Sequence, residues 1–218
     1  MPKLRLQNST NKRRAERVMN RSWLCAGLIL LMSACISPPQ EPEAPGPTST
    51  QPVLPPATLP PETMTEAFTL TSPSFVEGDT IPDRFACTGA NLSLELRWSS
   101  VPKGTQSFAL ILDDPDAPGG SWVHWVVYGI PVGVAGLPQG APREPTLGNN
   151  TLHGANSWGT LEYGGPCPPQ GSTHRYVFTL YALDISLDSE PGASKSALIT
   201  SMEGHILGQA QLTGTFGR

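Results

Sequence analysis

Two histidines stand where β-strand patterns meet loops rich in glycine and proline. His124 belongs to the run DDPDAPGGSWVHWVVYGIP, and His174 belongs to THRYVFTLYAL. An imidazole N–H is a good donor to an anion, and a nearby carboxylate such as Asp114 can fix the ring tautomer. Gly164 and Gly165, in the run GANSWGTLEYGGPCPPQG, would let backbone N–H groups approach a ligand closely. These residue types predict a small, preorganised anion pocket.

Each of these residues also has a purely structural explanation. Asp114 could simply cap the turn before Pro115, and Trp122 and Tyr176 could be core aromatics as well as pocket walls. One histidine alone is more often structural than ligand-binding, but two within one set of motifs favour the pocket.

Two histidines and a carboxylate could also hold zinc or iron. The chain, however, lacks H-x-H and H-E-x-x-H spacing and a G-x-S-x-G nucleophile motif. We therefore predict a binding protein without a metal or cofactor, and a metal-dependent enzyme is the less favoured alternative.

The succession DPDAP, HWVVYGIP, GGPCPPQG and HRY resembles the phosphatidylethanolamine-binding protein family, specifically its bacterial Raf-kinase-inhibitor-like branch. The resemblance extends from Phe68 to Arg218 and implies a pocket for phosphate-like groups, such as a phospholipid headgroup or a phosphorylated side chain. Matching the motifs residue by residue gives the expected ligand-binding set: Asp114, Pro118, Trp122, His124, Gly165, Pro168, Pro169, His174 and Tyr176. The chain departs from the family at Asn91 to Leu94, where a proline is missing, and at Ser157, where aspartate is common. These departures bear on ligand preference and not on the fold.

The elements that must position this site are mainly strands. β-Branched and aromatic runs bounded by turn residues predict strands at Phe68–Thr71, Leu94–Trp98, Ser107–Asp113, Val123–Ile130, Arg175–Leu183 and Gln211–Phe216. Two of these runs, Val123–Ile130 and Tyr176–Leu183, are apolar on both faces of the strand. This pattern is typical of central strands that are covered on both sides. A helix is predicted over Ala193–Gln209, with Ser194 as its N-cap. The predicted fold is all-β, an antiparallel two-sheet β-sandwich with a peripheral C-terminal helix. We expect His205 to lie on this helix and His153 to lie in a surface loop.

The N-terminal third predicts export. Seven basic residues precede the apolar run Trp23–Met32, which is too short to span a bilayer. The ending LLMSAC resembles the lipobox of bacterial lipoproteins, so we predict a signal peptide over residues 1–34 and a lipid on Cys35. An uncleaved signal anchor is the alternative, and Met19 is an alternative start. Residues 35–66 hold ten prolines and predict a tether, and residues 67–218 form the folded domain.

Removing residues 1–34 takes away seven basic residues and one acidic residue, which changes the formal charge from −4 to −10. Such a chain is a poor partner for nucleic acid or for anionic lipid surfaces. Cys87 and Cys167 remain in the exported domain, either as a disulfide or as two free thiols. The family resemblance favours the disulfide.

The sequence thus predicts a non-catalytic envelope lipoprotein, held outside the cytoplasm on a membrane, that binds a phosphate-bearing or other small anionic ligand. The alternative is an inhibitor or regulator that docks on an envelope protein such as a peptidase. On the ligand-binding prediction, alanine at His124 and His174 should weaken binding and leave the melting temperature nearly unchanged. The sequence does not determine the natural ligand, the membrane face or the oligomeric state.

Overall fold

A computed structural model describes residues 66–187 and 190–218. The predicted signal peptide, Cys35 and all but the last residue of the predicted tether lie outside the described residues. Nine strands follow one another along the chain: β1 Thr69–Thr71, β2 Leu96–Ser99, β3 Ser107–Asp114, β4 Trp122–Pro131, β5 Gly136–Leu137, β6 Thr146–Gly148, β7 Thr151–His153, β8 Thr173–Leu183 and β9 Ile206–Gly217. A 3₁₀ turn lies at Asp83–Phe85, and helix α1 spans Lys195–Met202.

The strands form two antiparallel sheets. The larger sheet has the order β6-β7-β4-β3-β8-β9, and the smaller sheet has the order β1-β2-β5. The predicted two-sheet β-sandwich with a peripheral helix is confirmed, and all six predicted strands are present. Their ends shift by one or two residues, except that the last strand begins five residues earlier than predicted, at Ile206.

The central strands are covered on both faces, as their apolar runs predicted. Phe108, Leu110 and Leu112 of β3 pack with the smaller sheet in one core. The intervening Ala109 and Ile111 pack in a second core that includes side chains of α1. Because successive side chains of a strand point to opposite faces, a strand inside this sandwich needs apolar residues at nearly every position.

The prediction that the helix continues to Gln209 is wrong. Helix α1 does begin after Ser194, whose Oγ accepts a hydrogen bond from Ala197 N at 3.2 Å, but it ends at Met202. Gly204 then adopts a φ of +79°, which turns the chain back into β9, and Ile206 pairs with Leu183 of β8. Pairing along a whole strand satisfies more backbone groups than another turn of helix would, so it overrides the local four-residue periodicity.

Two histidines outside the predicted pocket also differ from expectation. His205 lies in the turn before β9, not on a helix, and its Nδ1 is 2.8 Å from Asp184 Oδ1. His153 is fully buried in β7 instead of lying in a surface loop, and its Nδ1 donates to the Glu144 carbonyl at 2.8 Å. Within the described ranges, no helix has the length and hydropathy required to cross a membrane.

Candidate anion-binding site

Strand periodicity places Asp114 and His174 on the same face of the larger sheet. Asp114 is the last residue of β3, two residues beyond Leu112, and His174 lies two residues before Tyr176 on the adjacent β8. Leu112 and Tyr176 both belong to the core between the sheets. The two polar residues therefore continue that apolar face to the end of the sheet, where the core opens.

His124 reaches the same face through an irregularity of β4. Leu112 pairs with Trp125 and Asp113 pairs with Val123, so His124 is an extra residue without a partner on β3. Such a bulge re-aims a side chain that regular alternation would send to the other face. The His124 ring consequently lies edge-on to Tyr176, with the ring centroids 5.2 Å apart.

One nitrogen of each imidazole is held by a buried acceptor. His124 Nδ1 donates to the Gly164 carbonyl at 2.7 Å, and His174 Nδ1 is 2.7 Å from Asp114 Oδ2. A carbonyl can only accept, so the Nδ1 atom of His124 carries the proton. Burial lowers the pKa of His124, which leaves the ring neutral near pH 7. In each ring Nε2 is then the nitrogen that a ligand could use.

Asp114 combines the two roles that the sequence left open. Its Oδ1 accepts a hydrogen bond from Asp116 N at 2.9 Å, which caps the turn, while Oδ2 holds His174. Beside it, Asp116 forms an ion pair with Arg175 at 2.6 Å. The Arg175 side chain and N–H lower the pKa of Asp116 to about 2. The loop that borders His174 is thus fixed by charge-assisted hydrogen bonds.

These side chains surround an open cavity of about 420 Å³. Six of the nine predicted site residues line it: Asp114, Pro118, Trp122, His124, Pro169 and His174. Four further residues complete the lining: Ala117, Trp158, Cys167 and Arg218. A volume of this order suits a small ligand.

The other three predicted residues do not line the cavity but support its walls. Tyr176 is fully buried, and its hydroxyl oxygen accepts a hydrogen bond from Cys167 N at 3.2 Å. The Pro168 carbonyl accepts a hydrogen bond from Arg218 Nε at 2.6 Å. Gly165 N donates to Asn91 Oδ1 at 2.7 Å, so this N–H is not available to a ligand.

The reason for glycine at these two positions is close packing and not exposure of N–H groups. A Cβ at Gly165 would overlap the Phe85 carbonyl oxygen, and one at Gly164 would overlap the Trp158 ring. Gly164 N already donates to the His124 carbonyl at 3.0 Å. The expectation that these glycines offer donors to a ligand is therefore wrong.

Sequence reasoning missed Trp158 and Arg218. The Trp158 ring lies edge-on to His124 at 5.0 Å and to Trp122 at 5.4 Å between centroids. Asn156 fixes the loop below it, because its Oδ1 accepts from the N–H of Trp158 at 3.0 Å. Arg218 follows the last strand and brings a guanidinium to the cavity. The aromatic residue in the glycine-rich loop was a visible signal for Trp158, whereas nothing in the sequence pattern marked Arg218.

The predicted disulfide is present between Cys87 and Cys167, whose Cα atoms are 5.4 Å apart. It joins the loop after the 3₁₀ turn to the loop that borders the cavity. Arg218 Nη1 lies 3.6 Å from Cys167 Sγ. Within residues 66–187 and 190–218, no group of three or more histidine, cysteine or acidic side chains is arranged to hold a metal ion.

Fold and site together define a class of protein: a two-sheet β-sandwich with a histidine- and aspartate-lined cavity at the strand ends. The family model described as phosphatidylethanolamine-binding protein matches residues 71–217. The chain belongs to this family, as its motifs indicated.

Relatives support the assignment at several levels. A UPF0098 protein of Methanothermobacter thermautotrophicus is 49% identical over 145 residues, which is 66% of this chain and 95% of the relative. LppC of Mycobacterium tuberculosis, provisionally named a lipoprotein, is 42% identical over 172 residues, 77% of this chain and 83% of LppC.

Two solved structures have the same fold. One is CT736 of Chlamydia trachomatis, described as a homologue of phosphatidylethanolamine-binding protein, with a TM-score of 0.64 and 39% identity. The other is YbcL of Escherichia coli, described as a new member of the mammalian family, with a TM-score of 0.66 and 32% identity. Each match covers 70% of this chain, together with 98% of CT736 and 99% of YbcL.

Proposed function

We propose that this protein is a non-catalytic envelope lipoprotein that binds a phosphate-bearing or similar small anionic ligand between His124 and His174. The observation that carries the proposal is the shared arrangement of the two rings. Each Nδ1 is held by a fixed acceptor, which leaves Nε2 of both rings beside one cavity. Ring nitrogens that are already oriented lose little entropy when a ligand arrives.

The charges around the cavity suit an anion. Arg218 supplies a permanent positive charge, and Asp114 holds the His174 ring in place through Nδ1. A neutral His124 can gain a proton at Nε2 when an anion binds, since the ligand then offsets the cost of the buried charge. The cavity lining thus combines one guanidinium and two imidazoles with a single carboxylate, in an acidic domain.

Similarity to LppC supports the lipoprotein assignment. That match covers 77% of the chain, more than the 70% covered by the solved structures, so it extends beyond the folded domain. A lipid on Cys35 would hold the domain at the cell envelope, outside the cytoplasm. Palmitate or another acyl chain and an intact signal peptide over residues 1–34 are part of this proposal.

A second candidate function is docking on an envelope protein, for example inhibition of a peptidase. The specific observation that favours it is the exposure of Trp122 and Trp158, which are 37% and 48% exposed at the cavity mouth. Exposed aromatic residues at a rim are common anchors in protein interfaces.

Isothermal titration of residues 67–218 with phosphate, phosphoethanolamine and phosphotyrosine tests the leading proposal. The relative from Methanothermobacter, which this chain covers almost entirely, supports using this domain alone. Binding that disappears in His124→Asn, a variant that has no atom at the position of Nε2, would establish the pocket. The affinities of the three compounds would rank its ligands. If all three compounds fail to bind to folded protein, the docking function becomes the better explanation.

A further inference from the structure

Only one of the two ends of the larger sheet borders the cavity. The cavity lies where β3 ends and where β4 and β8 begin. At the opposite end Ser107 pairs with Pro131 and with Leu183, and Leu183 pairs with Ile206. The eight residues of β3 separate these ends by roughly 25 Å, at about 3.3 Å per residue.

The chain enters the domain at the end opposite the cavity. Thr69 pairs with Ser99, which leads into the loop before β3, and Phe68 stacks on Phe108 near the start of β3. Just before them, Glu66 Oε2 accepts a hydrogen bond from Ser100 Oγ at 3.0 Å. A tether that arrives from Cys35 therefore joins the domain about as far from the cavity as the sheet allows.

Exposed aliphatic side chains cluster at this same end. We call this set the entry patch: Val101, Val132, Ile206 and Leu207, each between 38% and 51% exposed. The loop that carries Val101 packs beside β9, since a Cβ on Gly104 would contact Leu207. Lys103 projects from the same loop. None of the four aliphatic residues belongs to a wall of the cavity.

The tether makes the lipid bilayer the surface that is always available to cover the entry patch. The thirty-one residues from Ile36 to Glu66 would reach up to about 95 Å if fully extended as polyproline helix, so the tether by itself does not orient the domain. It does keep the domain near the lipid surface at a high effective concentration, and a patch too weak to bind a membrane on its own can then be sufficient.

We propose that the entry patch rests on the membrane that holds Cys35, so that the anion cavity opens away from that membrane. This inference depends on the proposed lipid anchor. Four partly exposed aliphatic side chains can enter the interfacial layer, with Lys103 at the headgroup level. The domain's acidic charge means that apolar contact, not charge, provides the attraction.

The orientation restricts the source of the ligand. A cavity about 25 Å from the lipid surface, as measured along β3, does not reach the headgroups of its own bilayer. The phosphate-bearing ligand is then either a soluble molecule or a group presented from elsewhere in the envelope.

Native tryptophans allow a direct test with the lipid-modified protein, from which residues 1–34 and with them Trp23 have been removed, in phosphatidylcholine vesicles. Trp122 and Trp158 are the exposed tryptophans of the described domain, and both lie at the cavity mouth. Trp98 is buried but lies at the entry end, where brominated lipid could reach it, so the two exposed tryptophans are followed with aqueous iodide. Iodide should quench the unaltered protein equally with and without vesicles. Val132→Trp should add fluorescence that brominated lipid quenches.

Val76→Trp is the matched control. Val76 is also exposed, but its loop pairs with Thr213 and Thr215 in the half of β9 next to the cavity. We expect no quenching there. Loss of iodide quenching when the unaltered protein binds vesicles, or equal behaviour of the two variants with brominated lipid, would overturn the proposed orientation. The unaltered protein gives the first answer even if a variant fails to fold.

Two further measurements separate this inference from the function on which it rests. Flotation with vesicles tests the anchor: a protein that does not float has no membrane to face, which overturns the inference but leaves the pocket untouched. Phosphoethanolamine should bind the anchored protein equally well in vesicles with and without phosphatidylethanolamine. Weaker binding in vesicles that contain it would mean that the cavity reaches its own bilayer and would also overturn the inference.

Discussion

The two nitrogens of His124 have separable tasks, and two substitutions can separate them. Asparagine places its amide nitrogen close to the position of Nδ1 and can keep the hydrogen bond to the Gly164 carbonyl, but it has nothing at the position of Nε2. Glutamine reaches the position of Nε2 but loses the Nδ1 donor. We therefore expect His124→Asn to lose ligand affinity and keep its stability, and His124→Gln to lose stability and keep part of its affinity.

His124→Asn removes one charge-assisted hydrogen bond to the ligand, worth about 1.5–3 kcal/mol, so its dissociation constant should rise roughly ten- to hundred-fold. Its melting temperature should change little. His124→Gln leaves the Gly164 carbonyl without a partner, which costs about 1–3 kcal/mol and lowers the melting temperature by roughly 2 to 12 °C. It should retain part of the affinity.

Titration calorimetry with a phosphodiester and thermal unfolding of the same samples would measure both effects. Unaltered affinity in His124→Asn would refute the assignment of Nε2 to the ligand. Equal melting temperatures for the two variants would refute the structural role of Nδ1. Because the ring is buried, His124→Ala should lower the melting temperature as well, contrary to the expectation from the sequence.

Three further predictions follow from the buried groups. Burial lowers the pKa of His124 and His153, so between that pKa and about 6.5 the unfolded chain binds more protons than the folded one. Urea titrations should show stability falling as pH drops from 7.5 to 5.5, while phosphodiester binding strengthens over the same interval; constant stability would contradict the pKa direction. Replacing both cysteines of the disulfide with serine opens a loop of 80 residues and should cost about 4–5 kcal/mol by urea unfolding, and a loss below 1 kcal/mol would mean that the unfolded chain is already compact. Gly165→Ala should cost about 1–3 kcal/mol through overpacking, whereas Gly133→Ala, whose Cβ meets no atom, should leave the melting temperature unchanged.

The strands could be predicted because their patterns are local. Consecutive apolar residues from Trp125 to Tyr128 required cover on both faces, and the sandwich provides it. The helix failed at its C-terminal end because Ile206 satisfies the helical spacing and a β-ladder equally well. The choice between them depends on β8, which is distant in the sequence and offers a full set of backbone partners.

The chain's own residues determined the sandwich and the family, and alternation with a period of two puts Asp114 on the face of Leu112 and His174 on the face of Tyr176. The pairing of β3 with β8 then brought Asp114 and His174 to the same end of the sheet. Only the tertiary structure decided that His124 turns to the same face, because a bulge is a property of two strands in register and not of one segment. It also brought in Arg218 from the end of β9 and occupied the N–H groups of Gly164 and Gly165. These results depend on which loops meet at the cavity, and close packing between distant segments of the chain determines which loops meet there.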